Sequence, residues 1–386
     1  MLLEHLTLRD FRNLEHCELE LGERFTVLFG HNGAGKTNVL EAIYLVSTLR
    51  SFRTADQAAL IRREAMAGSV ELRAHDPCID LATTLAVRLE RRGTGARRSA
   101  TADGKHVRAA ADFYGRIRAV LFTPEDLGVL RGSPSGRRQF LDRMLFARER
   151  QHIADVQAYE KLVRSRNHVL RDDSGSRQAD DLLDTYETGL AEIGARVWSR
   201  RTRLLDELAE PFATAFERIH GHVGPAPDDA TARPLVATVR YAAKLGEVAL
   251  EERGSALAEA LRERRREDRR RGSTSVGPHR DDLEVALDGR PAADFASQGQ
   301  ARALVLAFKL AEVRVAHAAM GARPLLLLDD VSSELDPRRS ALLFATLAED
   351  VGQCVLTTTA PHHVELPSNV RTRSWHVDRG SIQPAG

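Results

Sequence analysis

A short apolar run that ends in glycines constrains this chain more than any other feature: Phe25-Thr26-Val27-Leu28-Phe29 leads directly into Gly30-His31-Asn32-Gly33-Ala34-Gly35-Lys36-Thr37. The run has the length and partial β-branching of a buried strand, and Asn38 to Leu45 continues with the pattern of a helix. Glycines between them free the backbone to curl, so that successive N–H groups and the positive end of the helix face one anion. Strand, glycine loop and helix in this order make a phosphate-binding loop. Lys36 is placed to reach the β- and γ-phosphates and the Thr37 hydroxyl to hold Mg²⁺, so ATP and Mg²⁺ are the expected cofactors.

With 386 residues the chain has room for a large core and a second module. No apolar stretch approaches the roughly 20 residues that span a bilayer, so no membrane partner is expected. Met1 to Asp10 alternates like an edge strand and lacks the basic head and apolar run of a signal peptide. Cys17, Cys78 and Cys354 are dispersed, with no C-x-x-C pair to suggest zinc or redox chemistry; the expected location is cytoplasmic. A net charge of +1 does not by itself predict a nucleic-acid partner. The positive charge is nearly all arginine, clustered at Arg88 to Arg92, Arg97-Arg98, Arg137-Arg138, Arg200-Arg201 and Arg262 to Arg271. Each cluster reads as a solvated face or a DNA contact, and several brought onto one face would track a phosphate backbone.

Three stretches differ in periodicity. Residues 1–130 are strand-rich, with runs at Ser69 to Ala74, Leu81 to Leu89 and Ile117 to Phe122, and with hairpin signals at Arg92 to Ala96 and Ala102 to Gly104. Residues 131–271 change to a period near four, in stripes such as Phe140, Leu141, Met144 and Leu145, and Leu204, Leu205, Leu208, Phe212 and Phe216. No heptad is sustained, so this is a mainly helical arm with its own core rather than a coiled coil, with some strand signal at Leu235 to Tyr241. Loops interrupt it at Asp172 to Ser176 and Gly224 to Asp229. Residues 272–386 return to α/β character.

In that last stretch Pro324 to Leu328 reads as a central parallel strand ending in Asp329 and Asp330, and Gln353 to Thr358 as another. Such a strand end is either a structural ion-pair site or a place where Asp329 holds Mg²⁺ beside Thr37 and Asp330 orients or deprotonates the attacking water. The neighbourhood favours the second reading. Upstream, Ser297-Gln298-Gly299-Gln300 leads into an apolar helix expected over Ala303 to Val313, offering a serine and a helix N-terminus to a phosphate. Downstream, Ser333-Glu334-Leu335-Asp336 follows at close spacing.

This ordered set resembles the heads of ABC-type ATPases: a phosphate loop, an S-x-G-Q signature, a strand ending in two acids, and an S-x-L-D loop. The expected fold is therefore α/β, an ABC-type ATPase head of mixed sheet and helices with a mainly helical insertion. The resemblance implies that Ser297, Gln298, Gly299 and Gln300 of one copy cap the γ-phosphate held by the phosphate loop of another, with Ser333 and Asp336 in the intervening loop. Over nearly the whole chain the sequence further resembles the RecF recombination mediator family. The motifs are Leu8 to Leu14, Phe122 to Leu127, Gly132 to Asp142, Gly277-Pro278-His279-Arg280-Asp281-Asp282, Ser297 to Gln300 and Leu328 to Asp336. That likeness implies an ATP-dependent homodimer with slow, DNA-stimulated ATP hydrolysis. It also implies binding to gapped DNA or single-strand/double-strand junctions and, with RecR and RecO, help in loading RecA.

Several positions depart from the general ABC pattern. Asp330 stands where transport ATPases carry Glu, and Thr357-Thr358-Thr359 replaces the strand-end histidine that senses γ-phosphate, leaving Thr358 and Thr359 as switch candidates. Glu125 or Asp126 takes the place of the usual glutamine after Phe122, and His279-Arg280 fits either a ligand contact or a buried hydrogen-bonding role. By similarity Arg12, Asn13 and Asn38 lie near the nucleotide, against a reading of Arg12 and Asn13 as ordinary strand-end packing. A transporter would not carry so large an insertion between Thr37 and Ser297, and a chromosome-condensing head would carry long heptad arms. An ATP-regulated scaffold or DNA clamp with negligible turnover stays open as the alternative.

Overall fold

The computed structural model describes residues 1–77, 79–108, 113, 115–172, 176–221, 235–321, 323–330, 337–364, 366 and 370–385. Strands in chain order are β1 (Leu2–Phe11), β2 (Leu14–Glu20), β3 (Phe25–Phe29), β4 (Ala67–Asp76), β5 (Leu81–Arg92), β6 (Gly95–Ala102), β7 (Lys105–His106) and β8 (Ala119–Phe122). They continue as β9 (Ala237–Ala242), β10 (Asp282–Leu287), β11 (Arg290–Pro291), β12 (Leu325–Leu328), β13 (Gln353–Thr358), β14 (Thr372–Asp378) and β15 (Ser381–Ala385). The chain divides into two compact units, one of residues 1–126, 215–233 and 306–386, the other of residues 127–214 and 234–305.

The first unit holds two six-stranded sheets. Alternating apolar residues build the antiparallel one, ordered β2-β1-β4-β5-β6-β7. In β1, Leu6, Leu8 and Phe11 are fully buried while Thr7 and Arg9 face outward. The expectation of an edge strand at the N-terminus is corrected: β1 pairs with both β2 and β4, so β2 takes the edge. The two hairpins form at the expected turns, joining Arg92 to Gly95 and Ala102 to Lys105.

Continuous apolar runs build the second sheet, ordered β15-β14-β3-β13-β12-β8, in which β14, β3, β13, β12 and β8 run parallel. Strands buried on both faces have no polar side, which is why Leu325–Leu328 is all leucine. Helix α1 (Lys36–Thr48) packs between the sheets, with Val39, Leu40, Ile43 and Val46 at zero exposure in a core shared with Leu8, Val87 and Leu327. Gln353 ties the layers: its buried amide accepts from the Leu3 N–H at 2.8 Å and donates to the carbonyls of Leu3 and Gly22 at 2.7 and 2.8 Å.

Helices Pro134–Arg148 and Arg150–Arg171 belong to the second unit, with most of Arg177–Gly221. The expected stripe Phe140, Leu141, Met144 and Leu145 is buried, as are Leu204, Leu205, Leu208 and Phe212 along the long helix. A small sheet, β11-β10-β9, realises the strand signal near Leu235. Much of the arginine seen in sequence is consumed inside this unit. Arg166, at zero exposure, donates to Glu187 and Asp268 at 2.8 and 2.7 Å, and Arg201 grips Asp142 with two hydrogen bonds of 2.9 and 2.8 Å. Of the two loop signals here, residues 173–175 and Gly224 to Asp229 lie outside the described residues.

Candidate nucleotide site

Parallel pairing brings the carboxyl ends of β3, β13, β12 and β8 to one edge, where open α/β sheets bind ligands. The loop Gly30 to Gly35 leaves β3 there. Gly30 has φ +147° and a Cβ on it would sit 2.1 Å from the Val377 carbonyl oxygen, so no other residue fits. Gly35, at φ +122°, is the residue before the first turn of α1 and lies against the Asn13 side chain. His31, Asn32 and Gly33 are open to solvent, whereas Lys36 is buried and donates from Nζ to the carbonyls of Gly30 and His31 at 2.6 and 3.0 Å. The helix begins at Lys36, two residues before the expected Asn38.

Asp329 closes the opposite wall. Its Oδ1 accepts from the Thr37 hydroxyl at 2.9 Å and from the Thr357 hydroxyl at 2.7 Å, while the Asp330 N–H donates to Thr357 Oγ1 at 2.9 Å. Burial pushes the Asp329 carboxyl above its usual range; the two threonine hydrogen bonds oppose this, and the charges of Asp330 and Glu125 reinforce it. Burial pulls the Lys36 ammonium below its usual value, against Asp330 and Asp329. A carboxylate beside a threonine hydroxyl is a hard-oxygen pair suited to Mg²⁺. Among the described residues no group of three or more His, Cys, Asp or Glu side chains forms a metal cage. A cation here would complete its shell with waters and phosphate oxygens, as Mg²⁺ prefers. Asp330 is held at φ +48°, the left-handed region that non-glycine residues enter at a cost.

The cleft between these walls is about 430 Å³ and includes Asn13, Lys36, Thr37, Asn38, Arg53, Pro124, Asp330 and Thr357 in its lining. Asn13 donates to the Ala34 carbonyl at 3.0 Å and accepts from Asn38 at 2.7 Å, so the structure brings together the loop and these two predicted neighbours. Arg12 instead turns to Glu41, donating from Nε and one Nη at 2.8 and 2.7 Å to a carboxylate with zero exposure. Of the threonines, Thr357 faces the acids, Thr358 hydrogen-bonds the Ala360 carbonyl of its own turn, and Thr359 is half-buried. Asp126 caps the turn after β8, accepting from the Thr123 N–H at 3.0 Å, and faces Lys309 at 3.6 Å. Glu125 is exposed.

Sequence reading missed Arg53 and Glu41. Arg53 donates to Asn38 Oδ1 at 2.8 Å and lies 3.7 Å from Glu41, which also accepts from Ser51 at 2.5 Å. A buried acid on the inner face of α1 was the available signal, because an ionised group rarely sits there without cationic partners.

Ser297 and Gln300 form a reciprocal cap. The Ser297 hydroxyl accepts from the Gln300 N–H at 3.2 Å while the Gln300 side chain accepts from the Ser297 N–H at 2.8 Å. The helix therefore starts at Gln298 and runs to Met320, which corrects the start expected at Ala303. Gln298 is exposed and Gly299 half-buried in its first turn. Ser333 and Asp336 lie outside the described residues. His279 takes the buried hydrogen-bonding role: one ring nitrogen donates to the Thr274 carbonyl at 3.1 Å and the other accepts from Tyr159 at 2.9 Å, with burial pushing the imidazole down to about 4.

A phosphate loop, a strand-end acid and an S-x-G-Q helix start define an ABC-type ATPase head, and the chain belongs to the family described as the RecF/RecN/SMC N-terminal domain, whose model matches residues 2–375. Within that family it is similar to the DNA replication and repair protein RecF of Anaeromyxobacter sp. (strain Fw109-5), at 43% identity over 384 residues covering 100% of this chain and 99% of the relative. RecF of Myxococcus xanthus (strain DK1622) is 42% identical over 359 residues, 93% of this chain and 91% of the relative. The solved recombination mediator protein RecF with ATP, of the RecFOR pathway, superposes with a TM-score of 0.84 at 27% identity, covering 100% of this chain and 98% of that one. An Smc head bound to the C-terminal winged-helix domain of ScpA shares the fold, with a TM-score of 0.54 at 14% identity over 100% and 97% of the two chains. No helix among the described residues is long and apolar enough to cross a membrane.

Proposed function

We propose that the chain binds ATP with Mg²⁺ in the cleft between the Gly30–Thr37 loop and Asp329, and that ATP drives two copies together on DNA. The observation that carries this reading is the Thr37–Asp329–Thr357 cluster facing the loop across one cleft. Lys36 and the loop N–H groups hold the phosphates, Thr37 and Asp329 hold Mg²⁺, and Asp330 orients the attacking water. The metal supplies charge neutralisation on the β- and γ-phosphates. Asn13 and Asn38 border the loop end of the site. Thr357, rather than Thr358 or Thr359, has the geometry to link the γ-phosphate to both acids.

In this reading Ser297 to Gln300 of a second copy complete the site, giving a dimer with two shared nucleotides, and the motif alone assigns Ser333 and Asp336 to the same interface. The cap leaves the Ser297 hydroxyl hydrogen free to donate to a phosphate while its oxygen serves the helix. Binding energy at the shared phosphates favours the dimer, and slow, DNA-stimulated hydrolysis releases it. The RecF relatives and the RecFOR-pathway structure support a repair role; in our reading it is exercised in the cytoplasm on gapped or junction DNA and, with RecR and RecO, leads to loading of RecA.

Measuring self-association by sedimentation and DNA affinity by anisotropy with ATP, with ADP and without nucleotide tests this. Both should rise with ATP alone, and Lys36→Ala should lose ATP binding and both responses. Indifference of both to nucleotide would refute the switch.

A further inference from the structure

Away from the nucleotide cleft, the first unit carries a second recess of about 390 Å³, lined by Leu49, Arg97, Arg98, Ser99, Ala100, His106, Val107 and Arg108. Four of these residues are basic or imidazole and none is acidic. Arg97 and Arg108 are exposed and make no hydrogen bond or ion pair among the described residues. Several other exposed arginines of the same unit are paired: Arg88 with Glu90 at 3.0 Å, Arg371 with Glu23 at 2.9 Å, and Arg373 with Glu20.

The geometry of the recess follows from the β6–β7 hairpin. Thr101 opposes His106, and the Val107 N–H donates to the Ala100 carbonyl at 3.0 Å, so the chain beyond β7 stays beside β6 and carries Arg108 alongside Ser99. Arg98 turns inward and donates to the carbonyl of Leu49, the residue that caps the carboxyl end of α1. That contact offsets the negative end of the helix, which would otherwise repel an anion. Arg97, Arg108, His106 and the Ser99 hydroxyl remain for a ligand.

We infer that this recess is a phosphodiester-binding site, a contact for the backbone of the DNA in the reading above, on which it rests. Two guanidiniums beside a hydroxyl match the forked donors and neutral hydrogen bonds that hold backbone phosphates without reading bases. The apolar floor of Leu49, Ala100 and Val107 lowers the local dielectric and strengthens each contact.

The test uses the full chain with ATP and Mg²⁺ and a fluorescent gapped duplex, titrated at several salt concentrations. Arg97→Ala/Arg108→Ala should weaken binding about tenfold near 0.1 M salt and flatten the plot of log affinity against log salt by about 1.8, the release expected for two phosphates. ATP affinity and ATP-driven dimerisation should be unchanged. A charge-matched control, Arg240→Ala/Arg371→Ala, removes two exposed, ion-paired arginines away from the recess and should leave the slope intact. An unaltered slope in the first variant, an equal loss in the control, or competition by polyglutamate as strong as by unlabelled duplex overturns the assignment while the nucleotide switch stands. Absence of any DNA binding by the parent chain overturns both.

Discussion

At the scale of single residues, the candidate site turns on which oxygen meets which hydroxyl. Asp329 has two threonine hydroxyls on one oxygen, and Asp330 is fixed through its backbone to Thr357, so the two neighbouring acids are held differently, as the separate tasks proposed for them require. Asp330→Asn keeps the phosphate contacts while removing the base, so ATP should hold the variant as a dimer with hydrolysis reduced by about 10²–10⁴. Sedimentation with ATP and phosphate release would check this, and a persistently monomeric variant would contradict it. Glu41 is the other residue whose role follows from burial. Its carboxylate neutralises Arg12 and holds Ser51, with Arg53 nearby. Glu41→Ala leaves the partly exposed Arg12 with only the Ala59 carbonyl and should lower stability by about 1–3 kcal/mol, read by denaturant titration. An unchanged midpoint would remove Glu41 from the architecture of the site.

At the scale of elements, the signature helix depends on its first turn. Ser297 and Gln300 satisfy each other's N–H groups, so Ser297→Ala should cost about 1 kcal/mol of stability through the lost cap. Ser297→Arg adds bulk and charge at an exposed helix start, and should abolish ATP-driven dimerisation while monomeric ATP affinity persists; a normal dimer in sedimentation would argue against a signature acting in trans. The sequence marked this helix five residues late because Gln298, Gly299 and Gln300 are poor helix signals by apolar period alone. The cap explains them: S-x-x-Q is a helix start in its own right. The N-terminal strand was misplaced at an edge for a related reason, since alternation identifies a half-buried strand but not how many neighbours it has.

For the molecule as a whole, acid sensitivity lies in the second unit. The His279 imidazole is lowered to about 4 in the fold, below its unfolded value of about 6.5. Between those values the unfolded chain binds the extra proton, so stability is full above about 6.5 and is lost as pH falls toward 4. The loss should be on the order of 1–3 kcal/mol. Denaturant midpoints at pH 7.5 and 5, compared with those of His279→Gln, would measure it; an equal pH dependence in the variant would exclude His279. The order of motifs along the chain by itself determined the class of ATPase head: a glycine loop, a strand ending in acids and an S-x-G-Q helix start are local patterns whose geometry follows from nearby residues. Tertiary structure alone decided which side chains meet at that site. Thr357 reaches Asp329 because two strands lie in parallel register, Arg12 turns to Glu41 because α1 buries that acid, and Arg166 and Arg201 are buried in the second unit with acids distant in sequence. Composition counts charges but not their partners, so the recess that gathers Arg97 and Arg108 beside β6 emerges only once the chain is folded.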